Sequence, residues 1–264
     1  MIDVPTRFAW EAQSSADLTE LINEQTVAIL PVAATEQHGP HLPLGVDTYI
    51  MDGLLKTLCQ LAKSEGFFTI LPTQSIGKSD EHLYAKGTLS LPANLAMQSW
   101  VEIGTAVASS GIRKLLIVTS HGGNIDVMGI VARELRIRTK MLVGKTYWSA
   151  FGFPEGLFDQ AEIDAGIHGG DVETSLMLHF RSDLVNLTKA QNFQNAYCEQ
   201  ERANLVGLSA PVSLSWIASD LNFEGVVGDA TAATAEKGKL LADYQAEGMF
   251  CALKEMRNME PPRI

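Results

Sequence analysis

The chain has 264 residues, and its 20 Lys+Arg against 31 Asp+Glu give a formal net charge of −11. At 46% hydrophobic and 19% charged, it has apolar material for a large core and too little charge for a disordered chain. The acid excess argues against nucleic acid or anionic lipid as the main partner, since phosphate recognition needs a basic face, and suits cationic ligands, metal ions above all.

No window approaches the roughly 18 uninterrupted apolar residues of a membrane span. The N-terminal MIDVPTRFAWEAQSS lacks the basic start and apolar stretch of a secretory signal, so a cytoplasmic protein without a membrane partner is expected. Cys59, Cys198 and Cys251 are odd in number and widely scattered, which fits neither a disulfide framework nor a zinc-knuckle spacing. Cys59, on an apolar helical face, is expected to be a buried thiol.

Taken in chain order, Val27 to Ala34 is a continuous apolar run of strand length. From Thr48, the residues Ile50, Met51, Leu54, Leu55, Leu58, Leu61 and Ala62 recur at helical spacing until Gly66. Phe67 to Leu71 reads as a strand, Ala93 to Ser110 as a helix, and Lys114 to Thr119 as a buried strand. A helix from Ile125 to about Ile137 and a strand from Met141 to Thr146 follow. After Trp148 the alternation weakens: a helix is expected at about Val172 to Phe180, then irregular chain to about residue 228. A long helix from Thr231 to about Arg257 is stopped by Pro261-Pro262. Apolar strands separated by helices predict an α/β fold, a three-layer α/β/α sandwich with a mostly parallel central sheet. Residues 1–264 are expected to form one domain, since no linker or repeat interrupts them.

Open parallel sheets bind ligands beyond the carboxyl ends of their strands. There the first strand runs into Thr35-Glu36-Gln37-His38-Gly39-Pro40-His41, closing at Asp47, and the third into Ser120-His121-Gly122-Gly123-Asn124. A third cluster, His168-Gly169-Gly170-Asp171-Val172-Glu173, opens a helix. Taken singly, each residue has an ordinary explanation. Asp47 and Asn124 suit helix N-caps, Glu173 suits the first turn of a helix, and the histidines could be satisfied by backbone. Together, imidazole and carboxylate groups of this kind suit zinc, manganese or iron.

The segments TEQHGPHLPLGVDT, SHGGN and HGGDVETSLML, with the intervening EHLYAKGTLSL, resemble the signature segments of the creatininase (creatinine amidohydrolase) family, in its order and spacing, over roughly residues 27 to 180. The resemblance implies a metal-dependent amidohydrolase that cleaves a C–N bond, other than a peptide bond, in a small-molecule amide. It implies two divalent ions, zinc with a second zinc or manganese and iron as the other option, and a homo-oligomer, a hexamer in the family. Carried over by position, Glu36, His38, Asp47 and His121 match metal ligands, with Asp47 bridging. His168 matches a histidine near substrate and the catalytic water. Glu173 matches the glutamate of the family's ETS segment and is expected both to ligate and to take part in catalysis.

This chain departs from the creatinine-hydrolysing pattern at two places. Gly122 and Gly123 stand where that pattern has an aromatic residue and a glutamate ligand, so Glu173 is expected to replace the missing ligand. Asp164 and Ala165 stand where a tryptophan and an aspartate are expected, although Trp148 could still line the pocket. Relatives with the HGGN pattern resemble deformylases and peptidases as much as creatininases.

Three carboxylates and two neutral imidazoles need cations. Two divalent ions leave a net charge of about +1, which a hydroxide would cancel. His82, in a loop, could either meet substrate or lie at the surface, and His41 could either support a metal ligand from behind or have no such role, so both stay outside this expected site; His179 is expected at the surface. A serine hydrolase would need a G-x-S-x-G elbow, and a nucleotide-binding module G-x-G-x-x-G or a Walker A sequence; the chain has none of these. A metal-binding α/β protein without catalysis needs the same ligands, and so stays open.

Overall fold

The computed structural model describes residues 4–63, 65–196, 205–208 and 211–261. Its elements in chain order are α1 (Ser15–Leu21), β1 (Val27–Val32), α2 (Val46–Ala62), β2 (Phe68–Ile70), α3 (Ala93–Ser109) and β3 (Lys114–Thr119). Next come α4 (Ile125–Thr139), β4 (Leu142–Tyr147), α5 (Gln160–Ala165) and α6 (Asp171–Arg181). The remainder holds four two-residue strands, β5 (Asn192–Phe193), β6 (Val206–Gly207), β7 (Val212–Ser213) and β8 (Gly228–Asp229), with α7 (Ala218–Leu221) and α8 (Ala235–Asn258).

The main sheet is parallel throughout, in the order β2-β1-β3-β4. Its two central strands are buried along their whole length. Because side chains alternate across a strand, they feed two separate cores. Val27 and Ile29 of β1, with Leu116 and Val118 of β3, pack with α2, α6 and α8. Ala28, Leu30 and Val32, with Leu115 and Ile117, pack with α3 and α4. The result is an α/β/α sandwich. The β2 edge is covered by the N-terminal segment, where Ala9 bridges Ile70 and the Phe8 ring stacks on Phe68 with centroids 4.7 Å apart.

Several expected boundaries move. The α2 helix starts at Val46 with Gly45 as its N-cap, so Asp47 lies inside the first turn and is not the cap. The α8 helix starts at Ala235, not Thr231, because the Thr234 hydroxyl accepts from Lys237 N and sets the start there. Cys59 is buried as expected and Cys251 is exposed, while Cys198 and Pro262 lie outside the described residues. No described helix is long and apolar enough to cross a membrane.

The α8 helix runs so close to α6 that a Cβ on Gly238 would collide with the main-chain carbonyl of Ser175. Backbone cannot yield as a flexible side chain can. Gly238→Ala is therefore expected to destabilise the chain by about 1–3 kcal/mol, as overpacking does, and chemical denaturation would read this as a lower midpoint with unchanged slope.

In this strand order the chain leaves β1 toward β2 on one side and returns to β3 on the other. The crevice between the carboxyl ends of β1 and β3 is thus the topological switch point, where open α/β sheets receive ligands. The two strands end level, with Val32 opposite Thr119.

Candidate active site

Three loops and one helix turn meet at that crevice. The segment after β1 carries Glu36 and His38, α2 contributes Asp47, the end of β3 leads to His121, and the start of α6 brings Glu173 behind His168. Local bonds fix each piece. Glu36 N donates to Leu44 O at 2.9 Å, and the Ser120 hydroxyl donates to Asp47 O at 2.8 Å, tying β3 to α2. Asn124, fully buried, does not cap α4 with its side chain. Its amide donates to Ala33 O and Thr119 Oγ1 and accepts from Lys78 N, strapping three loops together. The α6 helix begins at Gly170, which has no side chain to cap it. The buried Glu162 carboxylate does so instead, accepting from Asp171 N at 2.7 Å and Asp229 N at 2.8 Å.

The imidazoles share one arrangement. The His38 Nδ1–H donates to Glu36 O at 3.1 Å, and Nε2 then faces Glu36 Oε1 at 3.9 Å, Asp47 Oδ1 at 3.9 Å and Glu173 Oε2 at 3.6 Å. The His121 Nε2–H donates to Lys78 O at 2.8 Å, and Nδ1 faces Glu36 Oε2 at 3.2 Å and Asp47 Oδ2 at 3.9 Å. The His168 Nε2–H donates to Gln37 O at 2.7 Å, and Nδ1 faces Glu36 Oε1 at 3.7 Å. A carbonyl oxygen can only accept, so each carbonyl holds one ring proton and turns the other nitrogen toward the same carboxylates. Metal-ligating histidines are commonly held this way.

Among the described residues, no Lys or Arg pairs with these carboxylates, and every ion pair of Glu36, Asp47 and Glu173 is with an imidazole. Among the described residues, both Glu36 oxygens, Asp47 Oδ2 and His38 Nε2 are buried without a hydrogen-bond partner. Such atoms are costly unless something fills the gap. Donors about 2.1 Å from a shared tetrahedral ion would stand about 3.4 Å apart, close to the separations seen here. Ligand-type atoms converge in three sets, Glu36-His38-His168, Glu36-Glu81-His121 and His38-Asp47-Glu173, each within 4.8 Å.

Electrostatics follows from this crowding. Burial opposes the charge on Glu36, but His121, then His168 and His38, outweigh it and hold its carboxyl well below the usual range. Burial, with the Glu36 charge beside it, pushes Asp47 well above that range, and burial raises Glu173. Burial lowers His38 to about 4 and also lowers His168. For His121 burial favours the neutral ring, yet Glu36, Glu81 and Asp47 prevail and raise it well above the ordinary value. Glu36 and Asp47 thus favour positive charge at His121 Nδ1.

All five expected ligands, with His168, therefore come together. Three other expectations need correction or addition. His82 is no surface residue: it is 1% exposed, on a short 3-10 turn (Asp80–His82), its ring 4.2 Å from that of His168. Gln37 Nε2 approaches His82 Nδ1 at 3.5 Å, which leaves the Nε2–H facing Glu36 Oε1 at 3.6 Å. Its one sequence signal was a place in the EHLYAKGTLSL segment. Trp148 does not line the site; its indole N–H donates to Met51 Sδ within the core. His41 supports the His168 loop through Gly169 O at 2.9 Å and Thr174 Oγ1 at 3.1 Å, whereas His179 is exposed as expected. Beside the cluster a cavity of about 250 Å³ opens between Gln37, Gly39, Pro40, Tyr84, Ala85, Phe223 and Glu224.

The family model for creatininase, described as creatinine amidohydrolase, matches residues 11–253. The mycofactocin precursor peptide peptidase of Mycobacterium ulcerans (strain Agy99) is 32% identical over 216 residues, covering 80% of this chain and 78% of that protein. Among solved structures, a candidate creatinine amidohydrolase from Bacteroides fragilis NCTC 9343 superposes with a TM-score of 0.81 at 23% identity, covering 98% of this chain and 100% of that one. A manganese form of creatininase gives a TM-score of 0.75 at 22% identity, covering 96% and 99%. At those identities the two structures speak to the fold alone.

Proposed function

Since the chain belongs to the creatininase family of hydrolases, we propose that it is a metal-dependent amidohydrolase that cleaves an amide-type C–N bond with the help of two divalent ions. One observation carries this reading: three imidazoles, each pinned through one ring nitrogen to a main-chain carbonyl, turn the other toward buried carboxylates that lack partners. Glu36, His38, Asp47, His121 and Glu173 would hold the ions. Zinc, with a second zinc or manganese, suits this oxygen and nitrogen set, and iron is compatible with it. When bound, the ions would bring the pKa of water to roughly 7 and polarise the substrate carbonyl.

The side chains divide the remaining work. Asp47 presents Oδ1 toward His38 and Oδ2 toward His121, the disposition of a bridging carboxylate. His168, kept neutral by burial, can take a proton on Nδ1 and pass it to the departing nitrogen. Glu173 is the most exposed of the three carboxylates, its side chain 21% accessible, and is placed to share that proton traffic. The His82 Nε2–H is a neutral donor that can hold a substrate oxygen. Homo-oligomeric assembly belongs to the same proposal.

The substrate class has two readings. The family description favours a small cyclic amide such as creatinine. A peptide-type amide is favoured by the cavity beside Gln37, whose apolar wall of Pro40, Tyr84, Ala85 and Phe223 suits a side chain next to the scissile bond, and by the peptidase relative. The test is metal analysis of purified protein, then hydrolysis of creatinine, N-formyl compounds and short peptides with and without chelator. About two ions per chain, and activity lost to chelator and restored by zinc or manganese, are expected. Undiminished hydrolysis by metal-stripped protein would overturn the reading, and tight metal binding without turnover of any of these would favour the non-catalytic alternative.

A further inference from the structure

The metal-centre reading leaves one buried-facing carboxylate without a role. Glu81 sits on the same 3-10 turn as His82, its side chain 18% accessible, with Oε1 3.4 Å from His121 Nε2. That nitrogen is the one turned away from Glu36 and Asp47; its proton lies between Lys78 O, at 2.8 Å, and the Glu81 carboxylate. The turn is itself anchored. Ser79 N donates to the Ser90 hydroxyl at 2.9 Å, that hydroxyl donates to Asp80 Oδ1 at 2.6 Å, and Lys78 pairs with Asp80. Glu81 is therefore presented to the imidazole by a braced piece of chain.

Gly123 supplies an independent observation. A Cβ built there would run into Glu81 Oε1, and would lie 2.5 Å from both His121 Nε2 and Lys78 O. Gly123 has an ordinary negative φ, so left-handed backbone does not explain the glycine. The space over residue 123 is taken by the carboxylate, the imidazole and the carbonyl together. Any side chain there would break up that group.

Resting on the proposed metal centre, we infer that Glu81 is a positioning residue: it acts through the far nitrogen of His121, orienting the ring and making Nδ1 a better ligand for the ion held with Glu36, and Gly123 is the vacancy that lets it do so. Outer carboxylates on ligating imidazoles fix ring orientation and raise ligand basicity, and their removal typically weakens metal affinity by about 10–100-fold. The effect should fall on the ion at Glu36 and His121 and spare the one at His38 and Glu173, whose histidine is held by Glu36 O, with Asp47 shared between the two.

The test is a chelator-competition titration with zinc on wild type, Glu81→Ala, Glu81→Gln and Gly123→Ala, with thermal unfolding of the metal-free proteins as the fold control. Glu81→Ala is expected to weaken one of the two binding steps by about 10–100-fold and leave the other unchanged. Glu81→Gln, whose amide oxygen still accepts from Nε2–H, should recover most of that loss. Gly123→Ala should weaken the same step at least as much, since its Cβ would meet His121 Nε2 and Lys78 O as well as Glu81. A wild type that binds fewer than two ions would sink the dinuclear reading itself. A wild type with two ions and a folded Glu81→Ala that binds both as tightly would overturn this inference alone, as would a Gln variant as weak as the Ala.

Discussion

Glu36→Gln is expected to abolish binding of both ions and to reduce turnover by about 10³-fold or more, the loss of several kcal/mol of charge stabilisation. Glu36 is the hub of the cluster: Oε1 faces His38, His82 and His168, while Oε2 faces His121. An amide of nearly the same volume removes the charge and aims N–H groups at nitrogens that need a cation. Asp47→Asn gives the contrasting result. Burial, with the Glu36 charge beside it, pushes the Asp47 carboxyl well above its usual range, so the metal-free chain disfavours its charged form and a neutral amide costs that state little. Metal-free stability should barely move, while binding should fail as in Glu36→Gln. Metal analysis with thermal unfolding, with and without zinc, separates the two effects. An inactive Glu36→Gln still loaded with two ions would remove Glu36 from the ligand set.

The pH dependence has a definite sign. Asp47 and His121 both have raised values, so each must lose a proton before an ion can take its place. Affinity should therefore climb with pH until both groups have ionised to their ligating forms, and acid should release the ions with uptake of protons.

His168→Ala is expected to keep both ions and lose about 10²–10⁴-fold in kcat, the range for a proton-transfer group. Its Nδ1 lies 3.7 Å from Glu36 Oε1, and its pKa is lowered by burial and by His38. Both effects favour the neutral ring, which can therefore accept a proton at a lower pH than an ordinary histidine. The acid limb of the wild-type pH–rate profile, where this base becomes protonated, should lie below the ordinary histidine value of about 6.5. Loss of one ion in His168→Ala would make His168 a ligand, a role its place in the Glu36-His38-His168 set permits.

Chain pattern alone disclosed the layered fold, because apolar strands such as Lys114 to Thr119 are legible from composition and length. The meeting of three polar clusters was legible for a related reason: polar residues that abruptly follow apolar strands mark strand ends, where this architecture gathers them, while the ligand roles within those clusters rest on the family resemblance. Less visible were residues whose roles depend on distant partners. His82 lies on a loop with no periodicity, and only Glu36, forty-six positions earlier, makes it part of the site. Glu162 caps a helix that begins nine residues later. Asn124 looked like a local cap, and three-dimensional strapping claimed its side chain instead.

The imidazoles are gripped by Glu36 O, Lys78 O and Gln37 O, which are peptide oxygens and not side-chain groups. Any amino acid at position 37 or 78 would offer the same oxygen, provided the chain path is kept. The ion cage is thereby insulated from drift in its own walls. Gln37 also borders the neighbouring cavity and meets His82 Nδ1 at 3.5 Å, so changing its side chain would alter the cavity and the His82 contact while the main-chain oxygen that holds His168 stays. A scaffold wired in this fashion can change what enters it over evolutionary time without rebuilding the grip on its imidazoles.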